Sequence, residues 1–236
     1  MFNIFFVISL FITTFGEEKT LTMARNQKWQ DDYWLLLMQL YLKKPAGVKP
    51  MYSKGMVDLA LELHIAPQIL FNKMCEIANL ETPRIERIWT EYGKNPRRLK
   101  RAVTLWHQMR GFGNEQFFEG VDVQETFERD FRPISTDSRI IPVMLVIILD
   151  QYFRLTPVTM VAETPEIRQL ASLLKLPVQD IVNIMVLFQH CDPYLRRKTT
   201  AGSPLLKACQ EIWQRYGNMD TEQLASYARQ LKEYFK

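Results

Sequence analysis

The hexamer IWTEYG at residues 88–93 has a close copy, IWQRYG, at residues 212–217. Upstream of the hexamers, the segments 41–74 and 152–185 align without a gap, and the residues that they share are mostly of core type. The shared pairs are Tyr41 with Tyr152, Leu59 with Leu170, Ala60 with Ala171, Leu63 with Leu174, Ile65 with Leu176, Leu70 with Ile181, and Met74 with Met185. This agreement indicates an internal duplication, so we expect two copies of one folding unit.

Each copy carries the sequence pattern of five helices. Gly and Pro, at 9 and 12 residues, are scarce for a turn-rich β protein, and the abundant residue types favour helix. The predicted spans are about 30–43, 54–63, 67–78, 82–93 and 96–110 in the first copy and 139–154, 164–174, 178–190, 203–217 and 221–235 in the second. The first helix of each copy is apolar on nearly every side, which is typical of a buried central helix.

The fourth helices carry signals at both ends. Thr82-Pro83 and Ser203-Pro204 each place a capping hydroxyl before a proline at the first helical position. Gly93 and Gly217 stand where these helices end, and glycine in that place commonly adopts the left-handed conformation. We therefore expect fourth helices that begin at the two prolines and close with left-handed glycines.

Length and composition bound the fold class. The chain has 236 residues, of which 47% are hydrophobic and 24% charged, so disordered chains, collagen and coiled-coil rods are excluded. We predict an all-α fold of two tandem five-helix units, residues 23–110 and 139–236, joined by an acidic and aromatic connector, residues 111–138. The connector contains five phenylalanines, and we expect it to pack across both units; a detachable partner-binding peptide is the alternative.

Residues 1–22 are treated as a leader, apart from the fold. The run FNIFFVISLFITTF at residues 2–15 is uncharged, apolar and too short for a membrane-spanning helix. The run has the hydrophobic core of a signal peptide but no preceding Lys or Arg, and the sequence from Met23 onward is typical of the start of a soluble protein. A signal peptide and a misassigned translation start therefore both remain open. Three cysteines without a CxxC pair favour a reducing compartment. We expect a cytoplasmic protein without stable membrane insertion, exported only if the run is a genuine signal.

Core-type residues and a small alanine recur at fixed spacing over the second and third helices. They are Leu59, Ala60, Leu63, Ile65 and Leu70 in the first copy and Leu170, Ala171, Leu174, Leu176, Ile181 and Ile184 in the second. This pattern resembles the helix-turn-helix unit of bacterial repressors and sigma-factor domains. It departs from that unit in the turn, where His64 and Lys175 replace the usual glycine, and at Lys73, which replaces an apolar residue.

The resemblance implies a third helix that enters the major groove of DNA, where Arg, Lys, Asn or Gln contact bases and phosphates. The third helices of this chain carry few such residues. Their polar side chains are Gln68, Asn72, Lys73 and Glu76 in the first copy and Gln179, Asp180 and Asn183 in the second. Because the second of these helices is mostly apolar and carries an acid, we expect burial or a protein interface rather than direct DNA reading.

Charge is distributed unevenly along the chain. The first copy has 15 basic and 8 acidic residues, the connector 2 and 7, and the second copy 12 and 9. On the fifth helix of the first copy, four cations follow i, i+3, i+4, i+7 spacing on one face, which we call the basic stripe. It consists of Lys94, Arg97, Arg98 and Arg101. The corresponding positions of the second copy hold Met219, Glu222, Gln223 and Ser226.

The second copy lacks these cations, so the fold does not require the basic stripe, and the stripe indicates a function. Three uses remain open for it. It suits phosphate contacts with a nucleic acid, it suits docking of an acidic partner such as the connector, and it suits a solvated helix face without a partner.

The sequence lacks the signatures of catalysis and cofactor binding. It has no GxxxxGK[ST] phosphate loop, no GxSxG nucleophile motif and no HExxH metal motif. His190-Cys191-Asp192 is a dense polar cluster at a predicted helix end, where capping is the more common role than metal or thiolate chemistry. We therefore predict no catalytic, metal-binding or cofactor-binding residues, and we interpret Arg196-Arg197-Lys198 as part of a loop.

Together these patterns favour a non-enzymatic intracellular interaction or regulatory protein, which binds a protein partner or associates with itself. The runner-up is a nucleic-acid-binding regulator, DNA-binding in particular, that relies on the basic stripe. An enzyme with a site between the two copies is the third hypothesis.

Overall fold

Helices dominate the part of the chain that the structure describes. The structure, a computed structural model, describes residues 29–110, 127–195 and 203–236, and no strand occurs within these ranges. The all-α prediction is therefore confirmed. The helices are α1 (Tyr33–Leu42), α2 (Lys54–Leu63), α3 (Pro67–Asn79), α4 (Pro83–Ile88), α5 (Pro96–Arg110), α6 (Pro142–Arg154), α7 (Pro165–Leu174), α8 (Val178–Cys191), α9 (Leu206–Tyr216) and α10 (Thr221–Leu231). Among these described helices, none alone has both the length and the apolar composition needed to cross a membrane.

Two hydrophobic cores lie in the two halves of the chain. In the first half, α1 packs against α2, α3, α4 and α5, and its Leu37 and Met38 are buried. In the second half, α6 packs against α8, α9 and α10 and buries most of its surface. The two strongly apolar helices are therefore the central helices of their halves, as their sequences predict.

Aromatic residues that recur in the sequence make matching contacts in the two halves. The rings of Tyr41 and Trp89 pack edge to face with centroids 5.9 Å apart, and those of Tyr152 and Trp213 do so at 5.8 Å. These contacts place each hexamer against the central helix of its own half. The duplication itself remains an inference from the sequence, and the matching contacts support it.

The glycines that end the hexamers differ from the expectation. Gly217 has φ of −65°, and Gly93 closes a π-helical turn, Trp89–Gly93, without a positive φ. A Cβ added to Gly93 would lie 2.9 Å from the Trp89 ring, and one added to Gly217 would lie 2.6 Å from the Trp213 carbonyl oxygen. The prediction of left-handed caps is wrong. Glycine is needed because the tryptophan four residues earlier leaves no room for a side chain.

The predicted start of the fourth helix is correct in the first half only. Thr82 caps α4 by accepting a backbone hydrogen bond at 3.2 Å. In the second half, α9 begins at Leu206 instead of Pro204, because a turn precedes it in which the Leu206 N–H donates to the Ser203 carbonyl at 3.1 Å. Leu205 lies in that turn and packs against the second core, which accounts for the later start.

The second and third helices of each half are joined by three-residue turns. His64 and Lys175 begin these turns with φ of 53° and 56°, the left-handed conformation that favours glycine. At the turn between them, α7 and α8 change direction by 108°, which lies in the range of helix-turn-helix pairs. The left-handed conformation at these two positions is thus adopted without glycine.

The described part of the connector packs between the two halves. It begins with a 3₁₀ helix, Phe127–Phe131, and continues through a turn in which Ile134 and Asp137 form an isolated bridge. Phe127 packs against both cores, and Phe131 is buried in the second. We call residues 127–138 the strap. The predicted leader at 1–22, the rest of the connector and the cations at 196–198 lie outside the described residues.

Candidate functional site

The basic stripe lies at the start of α5. Lys94 precedes the helix, and Arg97, Arg98 and Arg101 occupy its first two turns with exposed side chains. Asn95 caps the helix, since its side-chain oxygen accepts a hydrogen bond from the Arg98 N–H at 3.2 Å. The opposite face of α5 enters the first core. This amphipathic placement holds the four cations on an outward-facing surface.

Most of the basic stripe is free of ion pairs within the described residues. Arg98 forms an ion pair with Glu91 of the first hexamer, and its guanidinium lies 5.4 Å from the centroid of the Tyr92 ring. Lys94, Arg97 and Arg101 make no ion pair with any residue that the structure describes. These three charges are therefore available to an external anion.

Apolar side chains continue the same face of α5 beyond the stripe. Leu105 and Met109 follow Arg101 at steps of four residues and are 56% and 65% exposed. A shallow cleft of about 470 Å³ runs along this face, between the cations and Leu105. The outer face of α5 therefore combines a basic end with an apolar end.

The acids of the strap do not lie on the basic stripe. Glu128 is buried and accepts hydrogen bonds from other groups, with His64 Nδ1 at 2.7 Å and Arg132 Nη2 at 3.0 Å. Asp130 binds both terminal nitrogens of Arg215 at 2.7 Å. Docking of the connector on the stripe is therefore not seen for residues 127–138. The remaining connector acids lie outside the described residues.

The third helices carry a repeated polar pair that the sequence analysis named but did not connect. On α3, the Gln68 amide donates to the Asn72 side-chain oxygen at 3.0 Å, and on α8 the Gln179 amide donates to Asn183 at 3.1 Å. All four side chains are exposed. The spacing of 111 residues that relates the copies also relates the two pairs, so the repeat alignment contained the signal.

Lys73 on α3 is engaged inside the first half. Its ammonium group forms an ion pair with Glu76 at 2.7 Å and lies 5.8 and 5.3 Å from the ring centroids of Trp29 and Trp34. A lysine fits this otherwise apolar position because its methylene groups pack against apolar neighbours. Its ammonium group contacts the Glu76 carboxylate and the faces of two tryptophan rings. This side chain is not presented to a partner.

Aromatic rings form part of the contact between the halves. Tyr52, which precedes α2, stacks on Phe131 of the strap with centroids 6.3 Å apart and meets Tyr227 of α10 at 6.0 Å. Burial raises the pKa of Tyr52 and Tyr227 above the usual tyrosine value. These phenols are therefore neutral packing groups.

The polar cluster at the end of α8 has structural contacts. The Tyr152 hydroxyl donates to Asp192 at 2.8 Å, and the Cys191 thiol donates to the Leu187 carbonyl at 3.4 Å. Burial raises the pKa of Cys191 to about 11 and that of Cys209 to about 12, so both thiols stay protonated at neutral pH. No group of three or more potential metal ligands occurs in the described ranges.

Comparison with known proteins does not add a functional residue. No protein family, curated protein or solved structure matches the chain. The assignment of function therefore rests on the chemistry of the described surfaces. Among them, the outer face of α5 has the clearest character, because unpaired cations adjoin exposed apolar side chains there.

Proposed function

We propose that this protein is a non-enzymatic interaction or regulatory protein that binds an acidic protein surface through the outer face of α5. One observation carries the proposal: Lys94, Arg97 and Arg101 are exposed and unpaired among the described residues, whereas the strap's own acids are paired elsewhere. Unpaired charges of one sign on a rigid helix attract a partner of opposite charge and orient it.

The apolar end of the same face favours a protein partner over a nucleic acid. Leu105 and Met109 offer contact area to apolar side chains, which a phosphate backbone does not supply. A partner that pairs acids with the basic stripe and apolar groups with these two residues keeps part of its affinity when salt screens the charges.

Charge reversal of the stripe tests the proposal. We expect Arg97→Glu, Arg98→Glu and Arg101→Glu together to weaken binding of a labelled peptide of alternating Glu and Leu residues at least tenfold, measured by fluorescence anisotropy. The matched control reverses Lys44, Lys54 and Arg87, which are exposed elsewhere in the first half. Both variants should keep the helical circular dichroism spectrum. Equal affinities of the two triple variants would contradict the proposal.

A nucleic-acid-binding regulator is the second candidate, favoured by the helix-turn-helix geometry of α7 and α8 and by the repeated Gln and Asn pairs. Those amides suit adenine edges in a major groove. The same anisotropy assay with random duplex DNA at about 50 and 200 mM salt separates the two candidates, because counterion release makes phosphate binding steeply salt-dependent. Steeply salt-dependent binding that Gln68→Ala and Asn72→Ala weaken would favour the regulator.

A further inference from the structure

A cleft of about 560 Å³ lies between the strap and the second half. The strap forms one wall, and α6 and α9 form the other. Its apolar lining includes Ile134, Pro142 and Ala208, which are partly exposed, as well as the buried core residues Leu145 and Ile212. This volume falls in the range of pockets that hold small molecules.

Cations outnumber acids around the mouth of the cleft. The charged side chains that line it are Arg129, Arg132, Lys207, Arg215, Asp130 and Glu211. Both acids are already neutralised, since Arg129 pairs with Glu211 at 2.8 Å and Arg215 holds Asp130 with two bonds of 2.7 Å. Arg132 is paired as well, with Glu128 at 3.0 Å, so Lys207 carries the remaining positive charge of the lining.

Lys207 supplies the least engaged of these charges. It lies on the first turn of α9, is exposed, and makes no ion pair with a described residue. Across the cleft, the hydroxyls of Ser135 and Thr136 on the strap make no hydrogen bond to a described residue. An ammonium group and two hydroxyls are suited to bind a carboxylate or a phosphate.

We propose that this cleft binds a small organic anion, with its carboxylate or phosphate group at Lys207 and its apolar body on Ile134, Pro142 and Ala208. The apolar lining excludes a bare inorganic ion as the natural occupant, because an ion would leave that lining in contact with water. The two neutralised carboxylates exclude a cation, because no acid is left to receive it.

Occupancy of the cleft also affects how the halves are joined. Arg129 and Arg132 line the cleft, and they lie in the strap beside Glu128 and Phe131, which contact the first half. Arg132 pairs with Glu128, and Glu128 in turn holds His64 of the first half. A bound anion therefore stabilises the strap in the position that links the two halves.

The test uses the full chain and three simple probes in isothermal titration calorimetry. Decanoate has both a carboxylate and an apolar tail, acetate has the carboxylate alone, and decyltrimethylammonium has the same tail with a positive charge. We expect decanoate to bind at least tenfold more tightly than either of the others. Failure of decanoate to bind, or equal binding of decyltrimethylammonium, would overturn the proposal.

Variants locate the site. We expect Lys207→Glu to weaken decanoate binding about tenfold and Ala208→Phe, which fills the cleft, to abolish it. Lys54→Glu in the first half is the control with the same charge change and should leave the affinity unaltered. Thermal melts check that each variant folds. If folded Lys207→Glu and Ala208→Phe both bind decanoate as the natural chain does, the cleft is not the site.

Discussion

The two hexamers share isoleucine, tryptophan, tyrosine and glycine, and they differ at the third and fourth positions, where the fourth carries opposite charges. In the first hexamer Glu91 turns back to its own half and pairs with Arg98 of the basic stripe. In the second hexamer Arg215 reaches outward and binds Asp130 of the strap. The same packing of tryptophan and glycine is therefore compatible with an acid that contacts its own half and with a base that contacts the strap.

This difference separates what the fold needs from what each half does with its surface. The tryptophan and glycine pack against the central helix, so both halves retain them. The fourth position faces outward, where the choice of acid or base costs little in folding. In the first half it restrains the basic stripe, and in the second it fastens the strap.

Alanine at the hexamer glycines provides the largest expected effect. We expect Gly217→Ala to lower the free energy of unfolding by about 2 kcal/mol, because its Cβ would lie 2.6 Å from the Trp213 carbonyl oxygen. Gly93→Ala should cost about 1 kcal/mol, since the Cβ meets only the partly exposed Trp89 ring. Urea denaturation measures both.

The sign of these changes is informative. Neither glycine has a positive φ, and in a helix alanine is favoured over glycine by up to about 1 kcal/mol when space allows. A gain in stability for either alanine variant would therefore show that the tryptophan does not approach the backbone as closely as described.

Much of the fold is predictable from local sequence. The apolar runs of α1 and α6 predict central helices, and the cap at Thr82 predicts the start of α4, because these signals depend on neighbours within a few residues. The cap predicted at Ser203 fails because packing of Leu205 on the second core overrides it. The glycine caps fail because local sequence does not show the approach of a tryptophan ring.

The basic stripe and the cleft differ in how far the sequence predicts them. The basic stripe follows from helical spacing alone. The cleft beside Lys207 does not, because it forms only when the strap, which is far from α9 in sequence, packs beside it. Glu128 reads as one acid among seven in the connector, and only the fold shows that it is buried against His64.

Neutralising Glu128 tests the contact between the strap and the first half, which is made by His64 and not by the first hexamer. The Glu128 carboxylate is 3% exposed and bound by His64 and Arg132. We expect Glu128→Gln to lower the free energy of unfolding by about 1.5 kcal/mol, because hydrogen bonds to a buried charge are stronger than those to an amide. Urea denaturation measures the change, and Glu163→Gln, at an exposed carboxylate of the second half, serves as the control. A change below a few tenths of a kcal/mol would mean that this contact does not join the halves.

The pair of Asp130 and Arg215 tests the corresponding link in the second half. Asp130 is 14% exposed but Arg215 is 47% exposed, so solvent screens the attraction. We expect a double-mutant cycle with Asp130→Asn and Arg215→Gln to give a coupling energy of about 1 kcal/mol, aided by the two-bond geometry. A coupling near zero would show that the second hexamer does not hold the strap.

Replacing Glu91, the fourth residue of the first hexamer, has the smallest expected effect on stability. It tests most directly whether the two hexamers use their fourth positions differently. Glu91→Arg gives the first hexamer the base of the second, and it should change the free energy of unfolding by less than about 0.5 kcal/mol, because the pair with Arg98 is exposed. It also frees Arg98 and adds a charge beside the stripe. We therefore expect binding of the acidic probe peptide to tighten about threefold, from added long-range attraction. Glu91→Gln, which only removes the acid, should give a smaller gain. If neither variant binds more tightly, Glu91 does not restrain the stripe, and the fourth position matters only in the half where it meets the strap.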